Sequence, residues 1–257
     1  MINGGRDRAA QPAQTAQTQV RLLAGVHTMV FHHPGGWTRN AHAHPGWKIL
    51  IPLAGHITWR TGQGPARRAA GVIFPPQVAH PVSSAAAHIS VFIDPWYQEL
   101  GPGRRDAVPL DLATVEHIRA LWSPGDGDDL DDRARETVTY LRRRDLLPPA
   151  ASIDPRVAAA LRDLPFAERV NHVAADVGLS PSRLRALIHD LTGAPPARLR
   201  MWQRLRTAIR SLPDKPIALA AADAGFADQA HLTRTAARLI GQTPGDLVRI
   251  LRSPRRM

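Results

Sequence analysis

The chain has no cysteine among its 257 residues, which excludes disulfides, thiolate-bound metal and a cysteine nucleophile. No apolar run reaches the roughly 18 residues of a membrane-spanning helix. The Ala/Gln/Thr-rich start also lacks the apolar region of a signal peptide. A soluble cytoplasmic protein with no membrane partner is therefore expected. Lysine is nearly missing as well: Lys48 and Lys215 are the only two, and arginine supplies the rest of the 33 basic residues. Paired carboxylates, a Ser/His/Asp set and a Gly-rich phosphate loop are all missing in any context that would support catalysis, so an enzyme is not expected.

What remains is a basic chain with a net charge of +11, long enough for one large domain or two ordinary ones, each with a sizeable core. Residues 152–257 carry 17 Lys and Arg against 9 Asp and Glu, whereas residues 1–151 carry 16 against 13. The excess sits in the C-terminal part, as a phosphate-binding surface requires. Coding bias accounts for the choice of arginine but not for where the excess lies.

That same part says nearly the same thing twice. Ala174-Ala175-Asp176-Val177-Gly178-Leu179 returns as Ala221-Ala222-Asp223-Ala224-Gly225-Phe226, 47 residues later. Leu184, Leu191, Gly193 and Pro196 return as Leu232, Leu239, Gly241 and Pro244, 48 residues later, so one residue is absorbed after the glycine. Each copy reads as a short Ala-rich helix, a Gly turn and a second helix. Small residues let the helices cross closely and Gly frees the turn, which is the pattern of a helix-turn-helix.

In chain order, residues 1–19 have little to bury and are expected to be a disordered arm. Residues 20–100 hold short apolar runs between Gly/Pro turns: Leu22–Phe31, Lys48–Leu53, His56–Arg60, Gly71–Phe74 and His88–Ile93. Their spacing predicts a small antiparallel barrel or sandwich. Residues 101–147 switch to helical periodicity, with one helix over Leu112–Trp122, a loop over Ser123–Asp129 and a second helix over Leu130–Arg144. These two helices are expected to pair two copies of the chain or to relay between domains. After the linker Pro148–Ser152, residues 153–257 read as all-helical, with helices near 155–164, 168–177, 181–192, 196–212, 216–224, 228–239 and 244–252. Asp154-Pro155 and Asp214-Lys215-Pro216 supply cap-then-proline starts. The fold class is thus α+β and multidomain: an N-terminal β-barrel and a C-terminal all-α domain with two helix-turn-helix units.

Within the barrel, Gly36, His42-Ala43-His44, Lys48 and Gly55 resemble the first motif of the cupin superfamily, and Pro75-Pro76-Gln77-Val78-Ala79-His80 resembles the second. The resemblance implies a metal on histidines of these segments. Here that would be His42, His44 and His80, holding Zn, Ni, Co or Fe with an open position. Lys48 stands where the family has a glutamate ligand, and Gln77 replaces a glycine. A core histidine hydrogen-bonded in place is the plain alternative for each. Lys48, with Trp37, Trp47 and Trp59 close in sequence, offers a second expectation: an apolar wall and one cation suit a carboxylate-bearing effector, with Lys48 and Trp47 as its contacts.

The C-terminal part resembles the AraC/XylS family of bacterial transcription regulators. The match is carried by Gly178-Leu179-Ser180-Pro181-Ser182-Arg183-Leu184 in the first unit. In the second it is Gly225-Phe226-Ala227-Asp228-Gln229-Ala230-His231-Leu232-Thr233-Arg234, then Gly241-Gln242-Thr243-Pro244. A cupin-like sensor ahead of this domain is the family's usual order. Ala236 departs from the pattern, which often has a large aromatic there. The resemblance implies two recognition helices in successive major grooves, about 34 Å apart along the duplex. DNA contacts are expected from Ser180, Ser182, Arg183 and Arg185 in the first unit, and from Gln229, His231 and Arg234 in the second. Leu184, Leu187, Leu191, Phe226, Leu232 and Leu239 belong to the core. Arg198, Arg200, Arg204 and Arg206 cover the connecting helix as a solvated face or as phosphate contacts. The partners implied are double-stranded promoter DNA, a second copy of the chain, a small-molecule or metal effector, and RNA polymerase. Against this stand a metal-dependent cupin dioxygenase or isomerase with a helical appendage, and an architectural DNA binder without effector. The tandem repeat argues against the first and the barrel against the second.

Overall fold

A computed structural model describes residues 22–101, 106–123, 129–150, 152–167 and 169–252. The expected arm at 1–19, residues 124–128 of the expected loop and residue 151 of the expected linker lie outside these.

Ten strands form two antiparallel sheets. They are β1 (Leu22–Ala24), β2 (Thr28–His33), β3 (Trp37–His42), β4 (Trp47–Pro52), β5 (Ile57–Trp59), β6 (Arg67–Ala69), β7 (Gly71–Phe74), β8 (His80–Ser84), β9 (His88–Ile93) and β10 (Val108–Leu110). The larger sheet runs β1-β2-β9-β4-β7-β10 and the smaller β3-β8-β5-β6. Every residue of β2, β4, β7 and β9 is buried. Both faces of these strands are covered, which is why they read as continuous apolar runs rather than alternating ones. The inward face of β4 and β7 carries Leu50, Val72 and Phe74, packed against Ile57, Trp59 and Val82 of the smaller sheet.

Two expectations change at the edges of the barrel. Leu22–Phe31 is not one strand: β1 folds back on β2, pairing Leu22 with Phe31, through a turn closed by Gly25 N–H donating to Thr28 O at 2.8 Å. The barrel also runs past residue 100, because β10 pairs with β7.

The outward face of the larger sheet is covered by α1 (Leu112–Leu121) and α2 (Leu130–Arg143). Asp111 caps α1 at the Thr114 N–H, and Asp129 caps α2 at the Asp131 N–H. Val115, Ile118 and Trp122 of the α1 segment join Ala134, Val138 and Leu141 of α2 in one core with Trp47, Ile49 and Val91. The apolar face that the sequence offered for pairing two copies is spent on the chain's own barrel.

The C-terminal domain comprises α3 (Pro155–Asp163), α4 (Val170–Asp176), α5 (Pro181–Thr192), α6 (Pro196–Ser211), α7 (Ile217–Asp223), α8 (Gln229–Ile240) and α9 (Pro244–Arg252). The sequence repeat becomes a structural one. Gly178 and Gly225 both take the left-handed backbone, at φ 66° and 76°, and each is followed by a residue whose N–H returns to the preceding helix. Gly193 and Gly241 then end α5 and α8 in the same conformation, at φ 68° and 70°. The helix-turn-helix pairs are α4–α5 and α7–α8, joined by α6.

Candidate functional site

The second helices of the two units, α5 and α8, present similar N-terminal ends. Ser180 caps α5 by accepting from the Arg183 N–H, and Asp228 caps α8 by accepting from the His231 N–H. Leu184 and Ile188 in α5, and Leu232, Ala236 and Leu239 in α8, are buried. The opposite side leaves Ser182, Arg183, Arg185, Gln229 and Arg234 exposed. His231 is half-buried, its ring edge-on to Phe226 with centroids 5.2 Å apart. The Arg185 guanidinium donates to Asn171 Oδ1 at 3.0 Å. Ser180 is occupied as a cap and also lies 3.2 Å from Ser182 Oγ.

The arginines of the connecting helix depart from expectation. Arg198 donates to Ala43 O of the barrel at 2.7 Å, Arg200 to Ala167 O at 3.3 Å, and Arg204 to Pro165 O and Gly225 O. Arg206 is buried in an ion pair with Asp94. All four reach inward, because α6 is the spine between the two units and the barrel, and its guanidinium groups satisfy loop carbonyls and a barrel carboxylate.

Inside the barrel, His42, His44 and His80 do come together. His42 and His80 face each other across the β3–β8 pairing, after an irregularity in β3 between Arg39 and His42. His44 follows in the next loop. The ring centroids are 4.6 Å (His42–His80), 5.3 Å (His44–His80) and 6.1 Å (His42–His44) apart. Each ring donates Nδ1–H to a carbonyl, of Asn40, Gly46 and Val78 respectively, so each Nε2 keeps its lone pair. His44 Nε2 and His80 Nε2 are buried with no hydrogen-bond partner. Among the described residues, no group of three or more His, Cys, Asp or Glu side chains could hold a metal ion. The position that would bring a carboxylate brings Lys48 instead, with its Nζ 3.4 Å from His42 Nε2.

Lys48 is 2% exposed. It enters from β4, directly paired with Phe74 of β7 and Phe92 of β9, and its Nζ lies 5.4–5.9 Å from the rings of Phe92, Trp37 and Phe74. Burial, helped by the charge of Arg39, pushes its ammonium down to about 7. Burial and the neighbouring Lys48 charge hold His42 near 3 and push His44 and His80 well below the usual histidine range. The expected contact Trp47 is not in this cluster. As the neighbour of Lys48 on a strand its side chain points to the other face, where it donates Nε1–H to Gly101 O at 2.9 Å. Trp37 takes its place.

The sequence reading missed His33 and His88, which are direct partners in the β2–β9 pairing and stack at 4.4 Å, with Trp37 donating to the His88 ring. Alternation along β9 from Phe92 through Ser90 places His88 on the same inward face as Lys48, and that signal was available. It also missed that the C-terminal helical domain reaches this cluster. A side chain at Gly241, at the end of α8, would lie 3.2 Å from His42 Nδ1, and Gln242 Nε2 lies 3.4 Å from His33 Nε2. Trp202 of α6 packs on Phe92 and donates to Asp94.

Residues 173–250, from within α4 to α9, match the family described as a helix-turn-helix domain. No curated protein matches the sequence. Among solved structures, an apo substitution variant of ToxT from Vibrio cholerae strain SCE256 is similar with a TM-score of 0.62 at 11% identity, over 89% of this chain and 99% of its own. Unsaturated-fatty-acid-bound ToxT of the same strain is similar with a TM-score of 0.61 at 11% identity, over 90% of this chain and 98% of its own. The fold is therefore shared nearly end to end, barrel and helical domain together.

Proposed function

We propose that this chain, which carries an AraC-type helix-turn-helix domain behind a cupin-like barrel, is an effector-responsive transcription regulator that reads promoter DNA. The observation that carries the reading is the duplicated unit: two reading helices with matching caps and matching glycine turns, each with a free polar N-terminal face. N-terminal residues of such helices meet base edges in the major groove. In this reading Arg183 and Arg185 grip guanine edges, Gln229 and Arg234 read the second groove, and Ser182 and His231 complete the two contact sets. An enzyme has no use for this pair of faces, which sets aside a cupin dioxygenase or isomerase.

The barrel senses. Its inward cluster offers one amine, unsatisfied imidazole nitrogens and aromatic rings, a set suited to a small organic effector rather than a metal ion. That ToxT has been crystallised with an unsaturated fatty acid supports an organic ligand for this fold. Because Gly241 and Gln242 lie against this histidine cluster, an effector bound at it meets the end of the second reading helix directly. It shifts the docked and released populations of the two domains by as much as its affinity for them differs.

Selection from random genomic fragments, titrated with salt, tests this. A recovered site of two blocks about one helical turn apart, with affinity falling linearly in log salt, is the expected result. Binding without sequence preference, or none, would overturn it.

A further inference from the structure

We propose that Phe166 is a third DNA-contacting element, an apolar wedge that enters the minor groove between the blocks read by α5 and α8 and parts a base step there. The proposal rests on the reading of the chain as a two-unit DNA binder. It adds a contact and a deformation that neither reading helix makes.

Phe166 is 88% exposed, the highest value for a large apolar side chain among the described residues. Single apolar residues on a surface are ordinary. What sets this one apart is how it is held and where. Its N–H donates to Asp163 O at 3.1 Å. On one side of it Arg204 Nε donates to Pro165 O at 3.2 Å, and on the other Arg200 donates to Ala167 O at 3.3 Å. Two guanidinium groups of the spine helix thus fix the backbone on both flanks of a ring left in water. An aromatic side chain on a fixed backbone loses little conformational freedom when it meets a partner.

The loop carrying Phe166 bridges the ends of the two reading helices. Arg204 uses Nη1 to donate to Gly225 O at 2.8 Å, so Pro165 lies against the turn that leads to the Asp228 cap of α8. At its other end the loop runs into α4, whose Asn171 accepts from Arg185 of α5 at 3.0 Å. These contacts place Phe166 between the two ends. When those ends occupy successive major grooves on one face of a duplex, the element between them faces the intervening minor groove. The surroundings carry the matching charge: Arg162, Arg169, Arg200 and Arg204 outnumber Asp163 and Glu168, and Arg162 and Arg169 are exposed. Phenylalanine inserted from the minor groove unstacks a base step and kinks the duplex. Parting a step costs least at TA and CA/TG, so the wedge turns the deformability of the spacer into sequence preference.

The test compares the full chain with its Phe166→Ala and Phe166→Leu variants in selection from a random duplex library. Wild type should recover two blocks whose spacer carries a TA or CA/TG step near its middle. Phe166→Ala should keep both blocks, lose the step and bind the wild-type site roughly ten-fold more weakly. Phe166→Leu, still an apolar wedge, should keep the step. A fluorescent adenine analogue quenched by stacking, placed at that step, should brighten with wild type and the Leu variant but not with the Ala variant. Thermal unfolding of Phe166→Ala should match wild type, because the ring is exposed. Two blocks around a spacer indifferent to sequence, with the analogue dark and full affinity in the Ala variant, would overturn the wedge and leave the two-helix reading in place. So would an Ala variant that binds DNA normally yet fails in transcription, since that marks Phe166 as a contact for another protein. Recovery of no two-block site would overturn the reading itself, and the wedge with it.

Discussion

Asp94 and Arg206 form an ion pair buried on both sides, with side-chain exposures of 0% and 8%, across the join between barrel and C-terminal helical domain. Asp94 also accepts from Trp202 Nε1 at 2.9 Å and contacts His27 Nδ1 at 3.3 Å. One carboxylate thus ties the end of β9 to the middle of α6. Removing one partner leaves the other charged and unpaired in the interior, which costs about 3–5 kcal/mol. Arg206→Ala should lower the urea midpoint accordingly, and the double variant Asp94→Asn/Arg206→Met should recover part of the loss. A single variant as stable as wild type would show that the join is not held here.

Ser180 and Arg183 are separated by three residues and by role. Ser180→Ala removes a helix cap and should cost about 1 kcal/mol of stability with base preference unchanged. Arg183→Ala and Arg234→Ala should leave stability alone and each relax preference at one base pair, by about 1–3 kcal/mol. Competition binding against single-base operator variants, beside thermal unfolding, separates the two outcomes.

Gln77 sits in the left-handed backbone region at φ 64°, and its N–H donates to His44 O at 2.8 Å. A residue with a Cβ pays about 1–2 kcal/mol for that conformation, and glycine does not. Gln77→Gly should therefore raise stability by about 1 kcal/mol net of chain entropy. The urea midpoint checks it, and a lower midpoint would contradict it.

Five histidines, His33, His42, His44, His80 and His88, are buried together in the barrel. Burial pushes all five down, His33 and His42 to about 3. In the unfolded chain they titrate at the model-peptide value of about 6.5. Between that value and the folded ones the unfolded state holds more protons, so stability falls as pH falls, by up to about 1.4 kcal/mol per pH unit for each histidine. Lys48 adds the same sign in a higher window: from about 7 up to its ordinary 10.5 the native state holds fewer protons, and stability rises with pH. Circular dichroism should show the barrel unfolding as pH drops below about 6, well before carboxylates titrate. A barrel unchanged at pH 4 would contradict this.

Much of the molecule was legible in the residues themselves. Pro181–Thr192 was bounded correctly because it has a serine cap, a proline start and a glycine stop, and α8 and α9 were placed within one residue by the same signals. The histidine cluster was legible too, since two sequence motifs brought its members into one barrel. What escaped was long-range. β3 and β8 are mixed polar strands whose partners are set by the barrel, not by their own pattern. Arg198 and Arg206 of α6 looked like part of a solvated face because nothing local announces Asp94 or the carbonyl of Ala43, more than a hundred residues away. Trp47 was misassigned by proximity in sequence, where strand alternation sends it to the opposite side from Lys48.

The most direct measurement is a hydroxyl-radical footprint of the full chain on a selected site. Two protected blocks on one face of the duplex, about one helical turn apart, are expected from one protomer, and Arg183→Ala and Arg234→Ala should each weaken one block. A single protected groove, with the α8 variant leaving the pattern unchanged, would contradict the two-helix reading.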